Sequence, residues 1–225
     1  MVKIAWDVVG KREYETGTSK GVLFPQQANG SYGVGVPWSG LTSVKQSPDG
    51  AEETPFYADN IKYAAMMSAE NFKGTIEAFT YPEEFELCDG SAEILADSGV
   101  YAGQQERQPF GLVYSTVLGN DTLGNDYGEK IHVVYNAKVS PSERSYETIN
   151  ETPSAITFSW GFTTTPVSVD DVPALKRPTA HITINSTKVT PAKMTAIRDL
   201  VYGTAATEPK MPTLAELLTI LTPAG

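Results

Sequence analysis

Alternation of apolar and polar residues recurs along this chain of 225 residues and constrains its fold more than any other feature. In residues 155–163, the apolar Ile156, Phe158, Trp160 and Phe162 are separated by small or polar residues. A period of two places alternate side chains on opposite faces of a β-strand. Similar patterns over residues 131–138, 72–80, 111–118 and 2–9 predict further strands, so we expect a mainly β protein.

The same alternation predicts which side chains share a face. In residues 131–138, Ile131, Val133, Tyr135 and Ala137 alternate with more polar positions, and in residues 72–80, Phe72, Ile76 and Ala78 oppose Lys73, Thr75 and Glu77. Residues 118–129 read LGNDTLGNDYGE and join two predicted strands. Such a density of turn-forming residues predicts a hairpin with a long tip.

Helical patterns lie mainly in the C-terminal quarter of the chain. Thr190 and Pro191 precede apolar residues at helical spacing, and Gly203 follows them, which predicts a helix between these positions. A second helix is predicted over residues 213–221, and a single helical turn after Pro82. Residues 30–55 are rich in Gly, Pro and Ser and are interpreted as a long extended loop, and residues 167–178 as a connector.

The length and a hydrophobic fraction of 40% are sufficient for one packed core. We therefore predict a single domain over residues 1–225, with a β core in 1–169 that includes the loop 30–55, and a C-terminal strand, helix and tail in 170–225. The N-terminal residues lack the apolar stretch of a secretory signal, which favours synthesis in the cytosol. Cys88 is the single cysteine, so no intrachain disulfide is possible, and its acidic neighbours disfavour a thiolate.

Negative charge is concentrated in one part of the chain. The net charge is −10, and residues 49–97 contain twelve acidic residues against the two lysines Lys62 and Lys73. The remainder is therefore close to neutral. A protein that binds nucleic acid tightly needs basic stripes that neutralise phosphates, and this chain has none. The charge distribution therefore disfavours attraction to a DNA backbone and is compatible with repulsion from one.

The polar clusters give weak signals for chemistry. Glu83, Glu84 and Glu86 could supply a glycosidase pair if one carboxyl were buried, but adjacent acids on a short helical turn usually face water. Asp121, Asn125, Asp126 and Glu129 faintly resemble a calcium loop, although Leu123 occupies a ligand position, and a polar hairpin tip is favoured. His132 and His181 lie in strand patterns without a metal-binding spacing. We predict no catalytic, cofactor or metal site and no enzymatic activity.

Three separated segments resemble a known family. Residues 54–90 (TPFYADNIKYAAMMSAENFKGTIEAFTYPEEFELCDG), 154–169 (SAITFSWGFTTTPVSV) and 184–204 (INSTKVTPAKMTAIRDLVYGT) look like the major tail protein, or tail tube protein, of long-tailed, non-contractile bacteriophages. The resemblance covers about residues 6–212. It implies a β-sandwich or barrel-like subunit with a flanking C-terminal helix. It also implies hexameric rings that stack around a tape-measure protein into a tube for DNA ejection, with terminator and tail-tip proteins at the ends. The location would be the virion tail, assembled in the host cytoplasm.

This resemblance gives the polar residues candidate roles. The candidate channel-facing residues are Glu77, Thr75, Lys73, Thr157, Ser159 and Thr163. The candidate residues for contacts between rings or subunits are Trp38, Lys45, Asp49, Glu52 and Glu53. Lys62 and Lys73 are expected to pair with acidic residues across an interface. Two alternatives remain open: another tail or baseplate component, and a carbohydrate-binding β-sandwich in which Trp38, Tyr32 and Tyr57 stack on sugars.

Overall fold

The computed structural model describes residues 3–149 and 154–222, and most of its regular structure is β. The strands are β1 (Glu13–Pro25), β2 (Val36–Trp38), β3 (Leu41–Gln46), β4 (Asp49–Gly50), β5 (Glu53–Ala58), β6 (Ile61–Met67), β7 (Glu70–Asn71), β8 (Lys73–Ala78), β9 (Ala92–Glu93), β10 (Tyr101–Ala102), β11 (Phe110–Asn120), β12 (Gly124–Val139), β13 (Phe158–Thr164) and β14 (His181–Asn185). A 3-10 turn at Glu83–Phe85 leads into α1 (Glu86–Asp89), and α2 (Pro191–Tyr202) and α3 (Leu214–Leu221) follow near the C-terminus. Within these ranges, no helix has the length and hydropathy needed to span a membrane.

Eight strands form one antiparallel sheet in the order β2, β1, β11, β12, β13, β8, β3, and β14 is also paired with β12. The long strand β12 pairs with β14 through residues 130–134 and with β13 through residues 137–139. The end strands β2 and β3 are consecutive in the chain, and β3 also contacts β1. The sheet therefore curves back on itself. The predicted mainly β, sandwich- or barrel-like fold is confirmed.

The central strands β11 and β12 are buried on both faces over most of their paired length. The aromatic core lies on one face and includes Leu23, Trp38, Ile76, Phe85, Phe110, Leu112, Trp160 and Phe162. The helix-side core lies on the other face, against α2 and α3, and includes Phe24, Val113, Ile131, Val133, Tyr135, Met194, Ile197 and Val201. Fully burying one such side chain contributes about 1.5–3 kcal/mol. Close packing favours glycine at position 74, because a Cβ atom there would lie 2.2 Å from the Lys45 carbonyl oxygen.

Both predicted helices are present. Pro191 occupies the first turn of α2, and Met194, Ile197 and Val201 are buried on its core face. Gly203 follows α2 with φ 73°, a conformation that favours glycine. The hydroxyl of Thr213 accepts the backbone N–H of Glu216 at 3.2 Å, and the Glu216 carboxylate accepts the Thr213 N–H, which forms a capping box that starts α3. The helical turn predicted after Pro82 is also confirmed.

Several predicted boundaries are wrong. Residues 30–55 are not one extended loop, because β2, β3, β4 and the start of β5 form there as partners of other strands. Residues 3–9 have a strand pattern but form no strand, and they pair with no other strand among the described residues. Residues 155–157 also precede β13 rather than belonging to it. The predicted connector over residues 167–178 holds turns and an isolated bridge from Val167 to Thr179.

The alternation predicted for residues 131–138 is interrupted once. Ile131, Val133 and Tyr135 share the helix-side face as expected, but Ala137 belongs to the aromatic core. Asn136 has φ 46° and lies at a register shift opposite Gly111, which is a β-bulge that moves the following residues to the other face. The tip of the β11–β12 hairpin is three residues, 121–123, and so is shorter than predicted. Val2 and the tail residues 223–225 lie outside the described residues, as do residues 150–153.

Candidate assembly interface

A long hairpin formed by β5 and β6 is exposed over every residue of both strands. Its turn residues Asp59 and Asn60 have φ 51° and 60°, the paired positive values of a type I′ turn, which favour Asp and Asn. The large apolar side chains on it are Phe56, Tyr57, Ile61, Tyr63, Met66 and Met67. Tyr57 and Tyr63 are 71% and 75% exposed. An apolar surface of this kind usually marks a contact with another molecule.

Other exposed apolar residues also lie on extended segments rather than on the main sheet. They are Ile4 and Trp6 near the N-terminus, Ile94, Leu95 and Val100 around the small β9–β10 sheet, and Tyr146 and Ile149 after β12. The chain thus has two well-buried cores and several projecting segments with apolar side chains.

The structure places five of the six predicted channel-facing residues on one polar face. Lys73, Thr75 and Glu77 point away from the aromatic core, because Gly74, Ile76 and Ala78 between them are buried. In β13, Ser159 lies opposite Glu77, and Thr163 lies opposite Lys73. Thr157 is exposed but precedes the strand. We call the surface of β3, β8 and β13 that contains these residues the polar face.

The charges on the polar face are paired. Glu77 accepts hydrogen bonds from the Lys45 ammonium at 2.7 Å and the Ser43 hydroxyl at 2.6 Å. The Lys45 bond, then the Ser43 bond, lowers the pKa of Glu77 below its usual value. Lys73 pairs with Asp49. The polar face is therefore nearly neutral, and Glu77 does not present a free negative charge.

The residues predicted to contact other rings have different environments. The prediction that Trp38 is a surface contact is wrong. Trp38 is 3% exposed, and its Nε1–H donates to the Thr80 carbonyl at 2.9 Å. Its large ring fills the aromatic core, with its centroid 4.5 Å from that of Phe85. Asp49, Glu52 and Glu53 are exposed near the base of the β5–β6 hairpin, whereas Lys45 lies on the polar face. Lys62 pairs with Glu53 of the same chain, and the Lys73 pair is likewise internal.

The acidic residues after β8 differ in burial, and the Asp89 side chain is only 8% exposed. Glu83 and Glu84 are exposed, while Phe85 and Cys88 of the same turn face the core. The Tyr101 hydroxyl donates to Glu83 at 2.8 Å, and Asp89 pairs with Arg144. A glycosidase acid needs burial to raise its pKa, which neither Glu83 nor Glu84 has. Burial and the neighbouring Asp89 raise the pKa of the Cys88 thiol to about 12.

The side chains of the calcium-like cluster bond to other parts of the chain. Asp121 accepts the Gly10 N–H at 2.9 Å, and Asn125 accepts the Tyr14 hydroxyl at 3.0 Å. Glu129 pairs with Lys20 at 2.8 Å and Arg198 at 2.6 Å, which attaches α2 to β12. These bonds bind the hairpin to its surroundings. Among residues 3–149 and 154–222, no three His, Cys, Asp or Glu side chains are grouped to hold a metal ion.

The two histidines meet, which sequence reasoning missed. His132 Nδ1 lies 3.3 Å from His181 Nε2, and the ring centroids are 5.5 Å apart with planes 9° from parallel. The centroid separation of 5.5 Å is close to the largest that two imidazole rings can have when their nitrogens are 3.3 Å apart. The rings therefore lie end to end and share an N–H···N hydrogen bond. Thr116 donates to Glu15 at 2.6 Å, so its oxygen can accept from His132 Nε2 at 3.2 Å. His132 Nδ1 then accepts, and His181 Nε2 donates.

Protonation of both rings would break this bond, because the His132 Nδ1–H and the His181 Nε2–H would then face each other. Burial, then the charge of His132, lowers the pKa of His181 to about 4. Burial lowers the pKa of His132 as well, although Glu15 opposes this. The amide of Gln46 also faces both rings, at 3.4 Å from His181 and 3.5 Å from His132.

Acidification should therefore destabilise the fold before the carboxylates titrate. The unfolded histidines protonate near pH 6.5, whereas folded His181 resists protonation down to about pH 4, so the unfolded chain binds more protons between these values. The free energy of unfolding should fall by about 2 kcal/mol from pH 7 to pH 4.5, allowing for partial solvent screening. Urea unfolding at several pH values measures this. In the His181→Asn variant, the free energy of unfolding should change little with pH above pH 5. An unchanged pH dependence in that variant would contradict the role of His181.

No family model matches the chain, and no curated protein is significantly similar to it.

The β5–β6 hairpin was also missed from the sequence, although a signal for it existed. Asp59 and Asn60 tolerate positive φ and lie between two runs with aromatic and β-branched residues. The histidine contact left no such signal, because it joins strands 49 residues apart.

Proposed function

We propose that this chain is a structural subunit that assembles with copies of itself into a tube, the role implied by its resemblance to phage tail tube proteins. The observation that carries the proposal is the β5–β6 hairpin, whose strand residues are all exposed and whose apolar side chains have no cover within the described chain. Burial of these apolar side chains against neighbouring subunits adds a favourable hydrophobic free energy, which the isolated subunit does not have.

The polar face supports the role of channel wall. A tube that conducts DNA must not bind phosphate, because each unpaired cation would slow the moving polyanion. Lys45 and Lys73 are both neutralised by acidic partners within the chain, and the neighbouring positions carry Thr75, Ser159 and Thr163. We therefore retain these residues as the proposed lining.

The proposed assembly is a stack of six-membered rings around a tape-measure protein, closed by terminator and tail-tip proteins, in a virion tail built in the host cytoplasm. No catalytic role is proposed. The carbohydrate-binding alternative loses its main support, because Trp38 is buried and Tyr32 is half-buried with its hydroxyl 2.8 Å from Asn136, so that of the three aromatic residues only Tyr57 is fully exposed. Another tail or baseplate component remains the closest alternative.

Negative-stain electron microscopy of the concentrated protein, with size-exclusion chromatography and light scattering, tests the proposal. We expect hollow tubes or six-fold rings and a mass that rises with concentration. Closed rings that never stack would favour a baseplate component. A monomer at all concentrations that binds glycans on an array would overturn the proposal.

A further inference from the structure

The N-terminal arm, residues 3–6, extends from an anchored base. The guanidinium of Arg12 donates to the Asp7 carbonyl at 2.8 and 3.1 Å, and the Asn120 amide donates to the Gly10 carbonyl at 3.3 Å. These bonds hold the turn at residues 7–10 against the β11–β12 hairpin. Beyond the turn, Ile4 and Trp6 are 70% and 78% exposed. Their spacing of two residues places both on one side of an extended segment.

Strand β14 has an open edge that suits an added strand. Tyr135 donates to the Ala180 carbonyl, and Ser186 donates to the Glu129 carbonyl, so in this antiparallel ladder the even-numbered residues of β14 bond to β12. The backbone N–H and C=O of Thr183 therefore point away from β12, and no strand in the described residues pairs with that edge. An unpaired edge is a site for β-strand addition.

An apolar groove of about 380 Å³ lies beside this edge, between β14 and α3. Its apolar lining includes Ile182, Ile184, Val189, Leu214, Leu218 and Leu221. Leu218 and Leu221 remain 38% and 41% exposed. The site thus combines backbone groups for an extended segment with a pocket for large apolar side chains on one side of it.

We propose that the N-terminal arm of one copy adds as a short strand to the β14 edge of a second copy, with Ile4 and Trp6 in the groove beside α3. The arm has the required pattern, since it has no regular secondary structure and no strand partner in the described chain, and it exposes two large apolar residues at strand spacing. Among the other exposed apolar segments, the β5–β6 hairpin already pairs its strands with each other, and Tyr146 and Ile149 are three residues apart rather than two. The inference rests on the self-association in the proposed function.

The N-terminal arm is too short to reach the β14 edge of its own chain. Gly10 is bonded to Asn120, whereas Thr183 lies opposite His132, which pairs with Tyr114. The distance along β11 from Asn120 to Tyr114 is about 20 Å at roughly 3.3 Å per residue. Ala5 lies five residues before Gly10, which spans at most about 17 Å when fully extended, and the turn shortens this further. An N-terminal arm bound in this groove would therefore belong to another copy.

Disulfide trapping between two singly substituted chains tests the contact. Ala5 faces away from the side of Ile4 and Trp6, and Thr183 faces away from the side of Ile182 and Ile184, so Ala5→Cys and Thr183→Cys should be cross-strand neighbours. The two full-length variants carry different tags and are mixed under mild oxidation. The control partner is Ala196→Cys, which is exposed on α2 and does not line the groove. Cys88 stays in place because it is fully buried.

We expect at least tenfold more heterodimer with Thr183→Cys than with Ala196→Cys, and a loss of that excess when Trp6→Ala is added to the arm. A chain carrying both Ala5→Cys and Thr183→Cys should give dimers and larger species. Equal trapping with both partners, or closure of the double variant into a disulfide-linked monomer, would overturn the inference. Electron microscopy of the same samples separates the two proposals: tubes without selective trapping leave the proposed function standing, and selective trapping without rings or tubes leaves this contact standing.

Discussion

Replacing Tyr57 and Tyr63 together by aspartate is expected to prevent assembly while the subunit stays folded. Both side chains are largely exposed on the β5–β6 hairpin, so they contribute to contacts between chains rather than to the subunit core. A central aromatic residue at an interface contributes about 2 kcal/mol or more. Loss of two such aromatic residues should raise the protein concentration needed for assembly by about a thousandfold. Light scattering against concentration, with electron microscopy, measures the change.

The matched control for this experiment is Tyr146→Asp. Tyr146 is 69% exposed, close to the value for Tyr57, but it lies in an irregular segment rather than a paired hairpin. We expect this variant to assemble within about threefold of the wild-type concentration. Thermal unfolding of all three proteins should agree, because exposed substitutions change stability by about 0.5 kcal/mol or less. Normal tubes from the double variant would show that the hairpin is not an assembly contact.

Trp160→Ala should give the largest loss of stability. Trp160 is 1% exposed at the centre of the aromatic core, with ring centroids 5.1 Å from Phe85 and 5.8 Å from Trp38. Truncating a buried tryptophan removes its transfer free energy and leaves a cavity, at a cost of about 3–5 kcal/mol. Guanidinium unfolding followed by circular dichroism measures this change.

The chain provides its own control for that experiment. Trp6→Ala alters the same residue type at a position that is 78% exposed, so the free energy of unfolding should change by about 0.5 kcal/mol or less in dilute, unassembled protein. Equal effects of the two substitutions would contradict the assignment of Trp160 to the core.

Several elements with a clear local pattern were predicted correctly from the sequence. The alternation at Ile76 and Ala78, the capping residues before α3 and the glycine after α2 each act through neighbours in the chain, so a reader of the sequence can recover them. Trp38 was misassigned for the complementary reason. Its burial depends on Phe85 and Trp160, which are distant in sequence, and an isolated tryptophan in a glycine-rich segment looks the same whether it is buried or exposed.

The sequence by itself determined that this protein is mainly β, with two C-terminal helices, one cysteine that cannot form an intrachain disulfide and no basic stripe for nucleic acid. Those properties follow from residue type and short-range periodicity. Only the tertiary structure decided that Glu77 is neutralised by Lys45, that His132 meets His181, and that the β14 edge is open beside an apolar groove. Each of these depends on strand order and register, which place residues far apart in the chain within a few ångströms, and no local pattern encodes that placement.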